Sequence, residues 1–368
     1  SLSSFFSGIL NTNNKFAAAA AAPIILNIFL ISSLLISYFF DLNFGLNLSY
    51  AVTSAGLFQL LFLIFFTKKY YKPSVKFKIR LSLKIKFFLK KLLPSIFSSG
   101  VTQINILIGT IIASFEAGAV SYLYYADRIY QINLAIAGIA IGTVALPELS
   151  KKIKIGDWKE AHNLQNRSLE LCLLLSVPAC FGLVIASEQI TNALFGYGSF
   201  LEKDVISTAE ALKYFGYGVP AFALIKVLSN FFFARDDTRT PFYISFFSVV
   251  LNVLISVIYF KKIGFVIIPI ATSIATWLAV LIYAILLIKL KYFNVKHIFF
   301  VNTVKILISS LIMILGLYYL LSFFEDKLIY ANYYKSFYLI MIIAISASAY
   351  LLLVRLLGVF RMKNFKTN

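Results

Sequence analysis

The chain has 368 residues, of which 60% are hydrophobic and 13% charged, with a mean hydropathy of +0.87. A soluble domain is about half apolar and about a quarter charged, so this composition excludes an ordinary soluble protein. The formal net charge of +19 comes from basic residues that lie mostly between apolar runs. That arrangement is typical of membrane topology signals and argues against nucleic-acid binding.

Apolar runs of roughly 20 residues, the length that crosses a bilayer core, recur along the chain. They predict an all-α fold, a polytopic membrane helical bundle, with a short stub at residues 1–10 followed by about ten spans. The predicted spans are 17–40, 46–66, 93–115, 119–147, 168–190, 205–234, 242–260, 264–289, 299–323 and 335–358.

The connections between these spans alternate in charge. The basic ones are Lys68–Lys91, Lys151–Arg167, RDDTRT from Arg235, KLKYFNVKH from Lys289, and the C-terminal tail. The positive-inside rule places them, and therefore the C-terminus, in the cytoplasm, although Lys261 and Lys262 fall on the opposite side. The most basic connection, 68–91, is explained by topology, and a docking surface for anionic lipid headgroups is the alternative.

The segment YLYYADRIYQINLAIAGIAIGTVALPELSKK places an Asp–Arg pair inside a predicted membrane helix. Residues at helical spacings of three and four share a face of an α-helix. One such face is predicted to carry Tyr124, Arg128, Gln131, Ala135, Gly138 and Gly142. Because Gly138 and Gly142 form a small-xxx-small pair, another helix is expected to approach closely there.

An arginine inside a span costs roughly 2.5–3.5 kcal/mol, so it is expected where it faces a polar cavity or a partner. Arg128 is therefore predicted to bind an anionic phosphate or carboxylate, whose geometry its planar fork matches. Asp127 points about 100° away and is predicted to meet a neighbouring helix or water. The alternative is that Arg128 snorkels or completes an ion pair without any ligand. Lys226, in FALIKVLSNFFFA, is a second candidate for the same cavity, with snorkelling or packing as an equal alternative.

Local signals predict several boundaries. Pro147 and Glu148 are expected to end the Asp–Arg helix at the cytoplasmic surface, and Asp237 or Thr238 to cap a helix near Pro241. The residues around that cap, Arg235, Asp236 and Arg239, form either an ion-pair cluster or a simple tight turn.

Cysteine and histidine positions argue against covalent and metal chemistry. Cys172 and Cys180 lie roughly 12 Å apart on one predicted helix and cannot form a disulfide bond with each other. His162 and His297 both fall in predicted loops, so no metal site is indicated.

Three segments resemble one known family, the MurJ (MviN-type) lipid II flippases of the multidrug/oligosaccharidyl-lipid/polysaccharide exporter superfamily. YYADRIYQINLAIAGIAIGTVALPELSK resembles its signature helix, FFFARDDTRTP the turn between its tenth and eleventh helices, and SGILNTNNKFAAAAAAPIILNI the region joining its fourth and fifth. The resemblance implies a two-lobe transporter fold around a cavity that would lack about four N-terminal helices. Asp127, Arg128 and Gln131 would match cavity-lining residues.

The resemblance also implies a division of the chain. Residues 1–66 would be the remainder of the N-terminal lobe, 67–92 a basic cytoplasmic linker, and 93–290 the C-terminal lobe. Residues 291–368 would be two extra helices, which form a groove for the polyprenyl chain of the lipid, and the cytoplasmic C-terminal tail of the protein. The implied location is the bacterial inner membrane, with a cytoplasmic C-terminus.

The activity implied by the resemblance is movement of the undecaprenyl-linked peptidoglycan precursor, lipid II, between leaflets by alternating access, not enzyme catalysis. No cofactor is implied, and a membrane potential or ion gradient remains open as the energy source. Gly109 stands where some members carry an aspartate tied to sodium, which argues against a sodium site. Asn133 replaces a frequent proline, with a changed kink as the expected effect.

Three other functions remain as alternatives: an exporter or antiporter of another solute, an enzyme acting on polyprenyl phosphates, and a structural subunit. The scarcity of intramembrane carboxylates argues against a cation antiporter. The only Asp pair, Asp236–Asp237, is flanked by arginines, which argues against a metal-dependent enzyme. The sequence leaves the oligomeric state and the peptide variant of the substrate open.

Overall fold

The computed structural model describes residues 2–13, 15–71 and 103–359, and all regular structure in these residues is helical. The predicted all-α class is therefore confirmed. The chain divides into two compact units, Ser1–Phe87 and Phe88–Asn368. Their boundary lies inside the predicted linker 67–92, and the finer division into four parts stays a prediction.

The first unit contains α1 (Leu2–Thr12), α2 (Phe16–Phe39) and α3 (Phe44–Thr67). The helices enclose a small core of Phe6, Leu10, Ala22 and Leu63. The Asn43 carboxamide oxygen caps α3 by accepting a hydrogen bond from the Leu46 amide at 3.0 Å, as Asn does at helix starts. Most of the apolar surface of α2 and α3 is exposed, as expected for helices of this length that meet lipid.

The described part of the second unit starts at residue 103 with α4 (Gln103–Ala113) and α5 (Ala119–Leu134). A π-helical turn, Ala135–Ala140, joins α5 to α6 without a break. The remaining helices are α6 (Ile141–Lys154), α7 (Trp158–Ile185), α8 (Ser187–Phe195), α9 (Glu202–Phe233), α10 (Arg239–Ile263), α11 (Ile267–Lys289), α12 (His297–Phe323), α13 (Glu325–Leu328) and α14 (Lys335–Leu356). A 3₁₀ turn, Gly264–Val266, precedes α11.

Helix α9 is the centre of this unit. It packs against α5, α7, α8 and α11, and both large hydrophobic clusters of the unit include residues from it. Phe231 and Phe232 are fully buried beside Tyr283 and Leu287 of α11. A helix surrounded in this way is a rigid support on which the neighbouring α5 can be positioned.

The hydropathy prediction is largely confirmed. Seven segments of the described residues are long and apolar enough to cross a membrane, and one of them, Arg239–Lys289, contains both α10 and α11. Seven predicted spans coincide within a few residues with α2, α3, α9, α10, α11, α12 and α14. The predicted span 119–147 is helical, as α5, the π turn and α6, but is not among the seven apolar segments. The predicted span 93–115 is described only from residue 103, as α4, and residues 72–91 of the basic connection 68–91 lie outside the described residues.

The predicted basic loop 151–167 is wrong, because most of it is helical. Helix α7 begins at Trp158, ten residues before the predicted span, and the chain turns only around Gly156. Asp157 stabilises this turn, since its carboxylate accepts a hydrogen bond from the Glu160 amide at 3.2 Å and lies 3.4 Å from Lys152 Nζ. Hydropathy detects only the apolar part of a helix, whereas the cap sets where the helix starts.

Two other local predictions fail for the same reason. Pro147 and Glu148 do not end the Asp–Arg helix, because α6 continues through them to Lys154. His162 and His297 lie in α7 and at the start of α12, not in loops. Hydropathy again undercounts polar helical turns.

The turn between α9 and α10 follows the sequence more closely. Asp237 accepts hydrogen bonds from the amides of Arg239 and Thr240, both at 3.0 Å, so its predicted capping role is confirmed. Asp236 has a left-handed φ of 59°, as in a tight turn. The predicted ion-pair cluster is wrong for Arg235, which donates to the carbonyls of Phe231 and Tyr292 at 2.6 Å each. Cys172 and Cys180 form no disulfide bond with each other, as predicted, and both thiols are buried.

Candidate functional site

The Asp–Arg pair lies in the middle of α5, and its two members face different surroundings. Asp127 is half-buried and accepts hydrogen bonds from the side chains of Gln131 and Tyr130. The ring of Tyr130 is stacked between Phe215 and Phe222 of α9, with centroids 4.8 and 5.1 Å away. Its hydrogen-bond partners thus lie on its own helix and not on a neighbouring one, and the predicted contact with water stays a prediction.

Arg128 is exposed and has a different partner. Its Nη2 donates a hydrogen bond of 3.0 Å to the hydroxyl of Tyr124, and its guanidinium carbon lies 4.7 Å from the centroid of the same ring. Tyr124 is itself 55% exposed. An arginine has five N–H donors, so this contact orients the guanidinium and leaves donors for an anionic group. Tyr124 and Arg128 are predicted to share a helix face, and the structure places their side chains in contact.

The predicted single face divides into two at the π turn. Tyr124, Arg128 and Ala135 are exposed, whereas Gly138 and Gly142 are buried. A π turn accommodates one more residue than an α turn, so it shifts everything beyond it by about 100°. The prediction that all six residues share one face is therefore wrong beyond Ala135.

The close helix approach at the two glycines is confirmed, and the partner is α9. A Cβ on Gly138 would lie 3.1 Å from the Ala223 Cα atom. A Cβ on Gly142 would lie 2.8 Å from Asn230 Nδ2 and 3.4 Å from the Lys226 carbonyl oxygen. Neither position accepts a larger residue without moving the backbone of α9 or Asn230.

Lys226 is exposed on α9, level with Gly142. Fourteen residues separate Gly142 from Arg128 along the helix, which corresponds to roughly 20 Å at 1.5 Å per residue. The structure thus does not place Lys226 beside Arg128, and its predicted role in the same cavity stays a prediction.

Sequence reasoning missed two residues that build this region, Tyr130 and Asn230. Tyr130 holds Asp127 and stacks on α9, and Asn230 donates from Nδ2 to the Gly142 carbonyl oxygen at 2.9 Å. Both have a local signal, since Tyr130 follows Asp127 by three residues and Asn230 follows Lys226 by four. Their partners on the opposite helix have no sequence signal.

These features define a polytopic α-helical membrane protein with a partly exposed arginine in a helix that packs against the centre of its unit. A family model described as "Lipid II flippase MurJ" matches residues 1–343. The chain belongs to the MurJ family, a family of flippases, and is a multi-pass protein of the inner membrane.

Individual relatives of this chain carry the name of the same family. The probable lipid II flippase MurJ of Rhizobium meliloti (strain 1021) is 40% identical over 291 residues, 78% of this chain and 54% of that protein. Its counterpart in Buchnera aphidicola subsp. Acyrthosiphon pisum (strain APS) is 32% identical over 375 residues, 99% of this chain and 71% of that protein. The chain thus spans about half the length of the Rhizobium meliloti relative.

A solved structure titled "Lipid II flippase MurJ, inward closed conformation" is also similar. It superimposes with a TM-score of 0.80 at 27% identity, covering 96% of this chain and 70% of the other. The helices described above therefore follow the fold of that protein, and the predicted MurJ-like fold is confirmed.

Proposed function

We propose that this chain moves lipid II, the undecaprenyl-linked peptidoglycan precursor, from the cytoplasmic to the periplasmic leaflet by alternating access. Membership of the MurJ family supports the proposal. The observation that carries it is the exposed Arg128 guanidinium, held by Tyr124 in the middle of α5, within a multi-pass membrane protein. A charge in that setting is costly and is expected where it serves a ligand.

The chemistry of the site fits an anionic substrate. The planar fork of Arg128 matches the oxygens of a pyrophosphate or a peptide carboxylate. The carboxylate of Asp127 accepts hydrogen bonds from Gln131 and Tyr130, which hold it away from the exposed face. In this proposal Arg128 binds the anionic group, Tyr124 orients Arg128, and Gln131 keeps Asp127 turned aside.

Replacement of Arg128 tests the proposal. We expect Arg128→Ala in the complete protein to abolish lipid II flipping, measured as accessibility of the precursor at the outer leaflet, while insertion and abundance stay near wild type. Arg355→Ala is the matched control, because Arg355 is also an exposed arginine of a helix in the second unit, in the last turn of α14. Normal precursor export by Arg128→Ala would refute the assigned role and favour a structural subunit.

We also propose that transport by this protein does not need sodium. Position 109 in α4 is a glycine, one helical turn after Asn105. The neighbouring polar groups are neutral and bonded to one another: Asn252 Nδ2 donates to Asn105 Oδ1 at 3.0 Å and to Thr272 Oγ1 at 3.2 Å. Flipping should proceed equally in sodium and potassium buffers at equal membrane potential. A rate that falls when sodium is removed would contradict the proposal.

The orientation of the chain is a further part of the proposal. The basic residues at the end of α6 (Lys151, Lys152 and Lys154), after α9 and after α11 support a cytoplasmic C-terminus. In this orientation the basic connection 68–91 contacts anionic headgroups of the inner leaflet, because their negative surface potential attracts lysine and arginine. A C-terminal tag should be cleaved by protease in inverted vesicles and protected in spheroplasts. The opposite result would reverse the topology.

A further inference from the structure

The π turn at Ala135–Ala140 separates two surfaces that a regular helix would combine. On a continuous α-helix anchored to α9 at Gly142, residues 124, 128 and 131 would turn by about 100° from their present direction. Tyr124 and Gln131 would then face α9, and Arg128 would leave the exposed face. The π turn is thus what lets Gly142 face α9 while Arg128 faces outward.

Both sides of the π turn are held by α9. On the Arg128 side, Tyr130 is stacked on Phe215 and Phe222, and Ala126 and Ile129 are buried. On the other side, Gly138 and Gly142 leave no space for a Cβ, and Asn230 donates to the Gly142 carbonyl at 2.9 Å. π turns are rare, occur mostly as single turns within α-helices and are frequent at functional sites. Here the contacts with α9 on both sides fix where the turn lies.

We propose that Asn230 is a positioning residue which, through the Gly142 carbonyl, holds the π turn at 135–140 and so presents Arg128 on the exposed face. When this hydrogen bond opens, the position of the π turn shifts along the helix toward Tyr124. Each residue that the π turn passes rotates by about 100° about the helix axis. Arg128 is thereby withdrawn from the exposed face. The inference rests on the proposed function only for the use made of Arg128, because the rotation itself is independent of the substrate.

Rotation predicts opposite changes at two positions. With the π turn in place, Tyr124 is 55% exposed and Ile129 6% exposed. A rotation of about 100° would bury the first and expose the second. We therefore place single reporter cysteines, Tyr124→Cys or Ile129→Cys, in the purified full chain and measure their reaction rates with a soluble maleimide. The buried native Cys172 and Cys180 provide the background rate.

The test adds Asn230→Leu, which removes the donor to Gly142 and keeps the branched shape and the number of side-chain heavy atoms. We expect the rate at position 124 to fall several-fold and the rate at position 129 to rise several-fold. The matched control is Ser229→Ala, since Ser229 bonds only the Lys226 carbonyl of its own helix among the described contacts, at 3.3 Å. That control should change neither rate.

General loosening of the fold is distinguished by a deletion. Removing Ile136, an exposed residue of the π turn, gives a continuous α-helix whose two ends keep their present directions. In the deletion variant, Asn230→Leu should no longer alter either rate, because no extra residue remains to migrate. If both reporters become more reactive, or if the effect persists after the deletion, Asn230 only stabilises packing and the inference is wrong. If both rates stay unchanged, it is also wrong.

Activity separates this inference from the proposed function. Opposite reporter changes without lipid II flipping by the unmodified protein would support the rotation and refute the proposed substrate. Flipping that is lost in Arg128→Ala but kept in Asn230→Leu, with unchanged reporters, would support the proposed function and refute the role of Asn230.

Discussion

Arg128 in α5 and Lys335 at the start of α14 are both basic residues of helices in the second unit, yet the structure surrounds them differently. Arg128 is exposed and contacts the ring and hydroxyl of Tyr124. Lys335 is 1% exposed, and its Nζ donates to the carbonyls of Gly196 at 2.6 Å and Tyr330 at 2.8 Å. The same Nζ lies 4.2 and 4.6 Å from the ring centroids of Tyr197 and Tyr330.

The difference separates a structural cation from one that is available to a ligand. The ammonium of Lys335 has three donors; two reach carbonyls, and its charge lies over two aromatic rings. It ties α14 to Gly196 in the α8–α9 connection, and Ser336 donates to the carbonyl of Ala193 in α8 at 2.7 Å. Among the described residues, the hydrogen bond of Arg128 to Tyr124 occupies one of its five donors, on an exposed face. Burial and the number of occupied donors, rather than residue type, therefore indicate which cation is available to a ligand.

The largest expected effect is a loss of thermal stability when Lys335 is replaced. Lys335→Met should lower the thermal midpoint of the detergent-solubilised protein by several degrees, because the carbonyls of Gly196 and Tyr330 lose their donor at a cost of roughly 1–3 kcal/mol. Lys327→Met, at an exposed lysine nearby, should leave the midpoint unchanged. An unchanged midpoint together with lost flipping in Lys335→Met would place Lys335 with Arg128 instead.

A smaller effect is expected when the charge at position 128 is kept but its geometry is changed. Arg128→Lys should lower the flipping rate about tenfold, equivalent to about 1.4 kcal/mol, because an ammonium cannot make a bidentate contact. The thermal midpoint should stay the same. Wild-type flipping by this variant would show that charge alone is sufficient, and that the fork has no role.

Tyr124→Phe should have a still smaller effect. The substitution keeps the ring under the guanidinium and removes the hydroxyl that accepts from Arg128, a net loss of about 1 kcal/mol, or about fivefold in rate. Tyr318→Phe, at an exposed tyrosine of α12, is the control and should behave as wild type. A loss as large as in Arg128→Ala would mean that the hydroxyl contacts substrate directly.

The smallest effect is expected at Lys226. Because it lies roughly 20 Å along the helix from Arg128, its replacement by alanine should reduce flipping less than any change at Arg128. Flipping by Lys226→Ala and Arg128→Ala can be compared in the same assay at equal abundance. An equal loss would show that both cations bind substrate.

The sequence by itself determined which segments are helices that can cross a membrane. Transfer to lipid is nearly a sum over about 20 consecutive side chains, so hydropathy located α2, α3, α9, α10, α11, α12 and α14. Short-range capping was also readable, as at Asp237, because donor and acceptor are only two or three residues apart. The candidate Arg128 followed from the cost of a charge in an apolar run.

Only the tertiary structure decided how these helices face one another. The π turn at Ala135–Ala140 depends on contacts with Ala223 and Asn230, more than 80 positions away, and no periodicity in α5 reveals it. The burial of Lys335 likewise depends on Gly196 and Tyr197, about 140 positions earlier in the chain. Sequence periodicity assumes a constant α-helical turn and shows no partner on another helix. It therefore predicted the residues of the site but not the direction in which each one points.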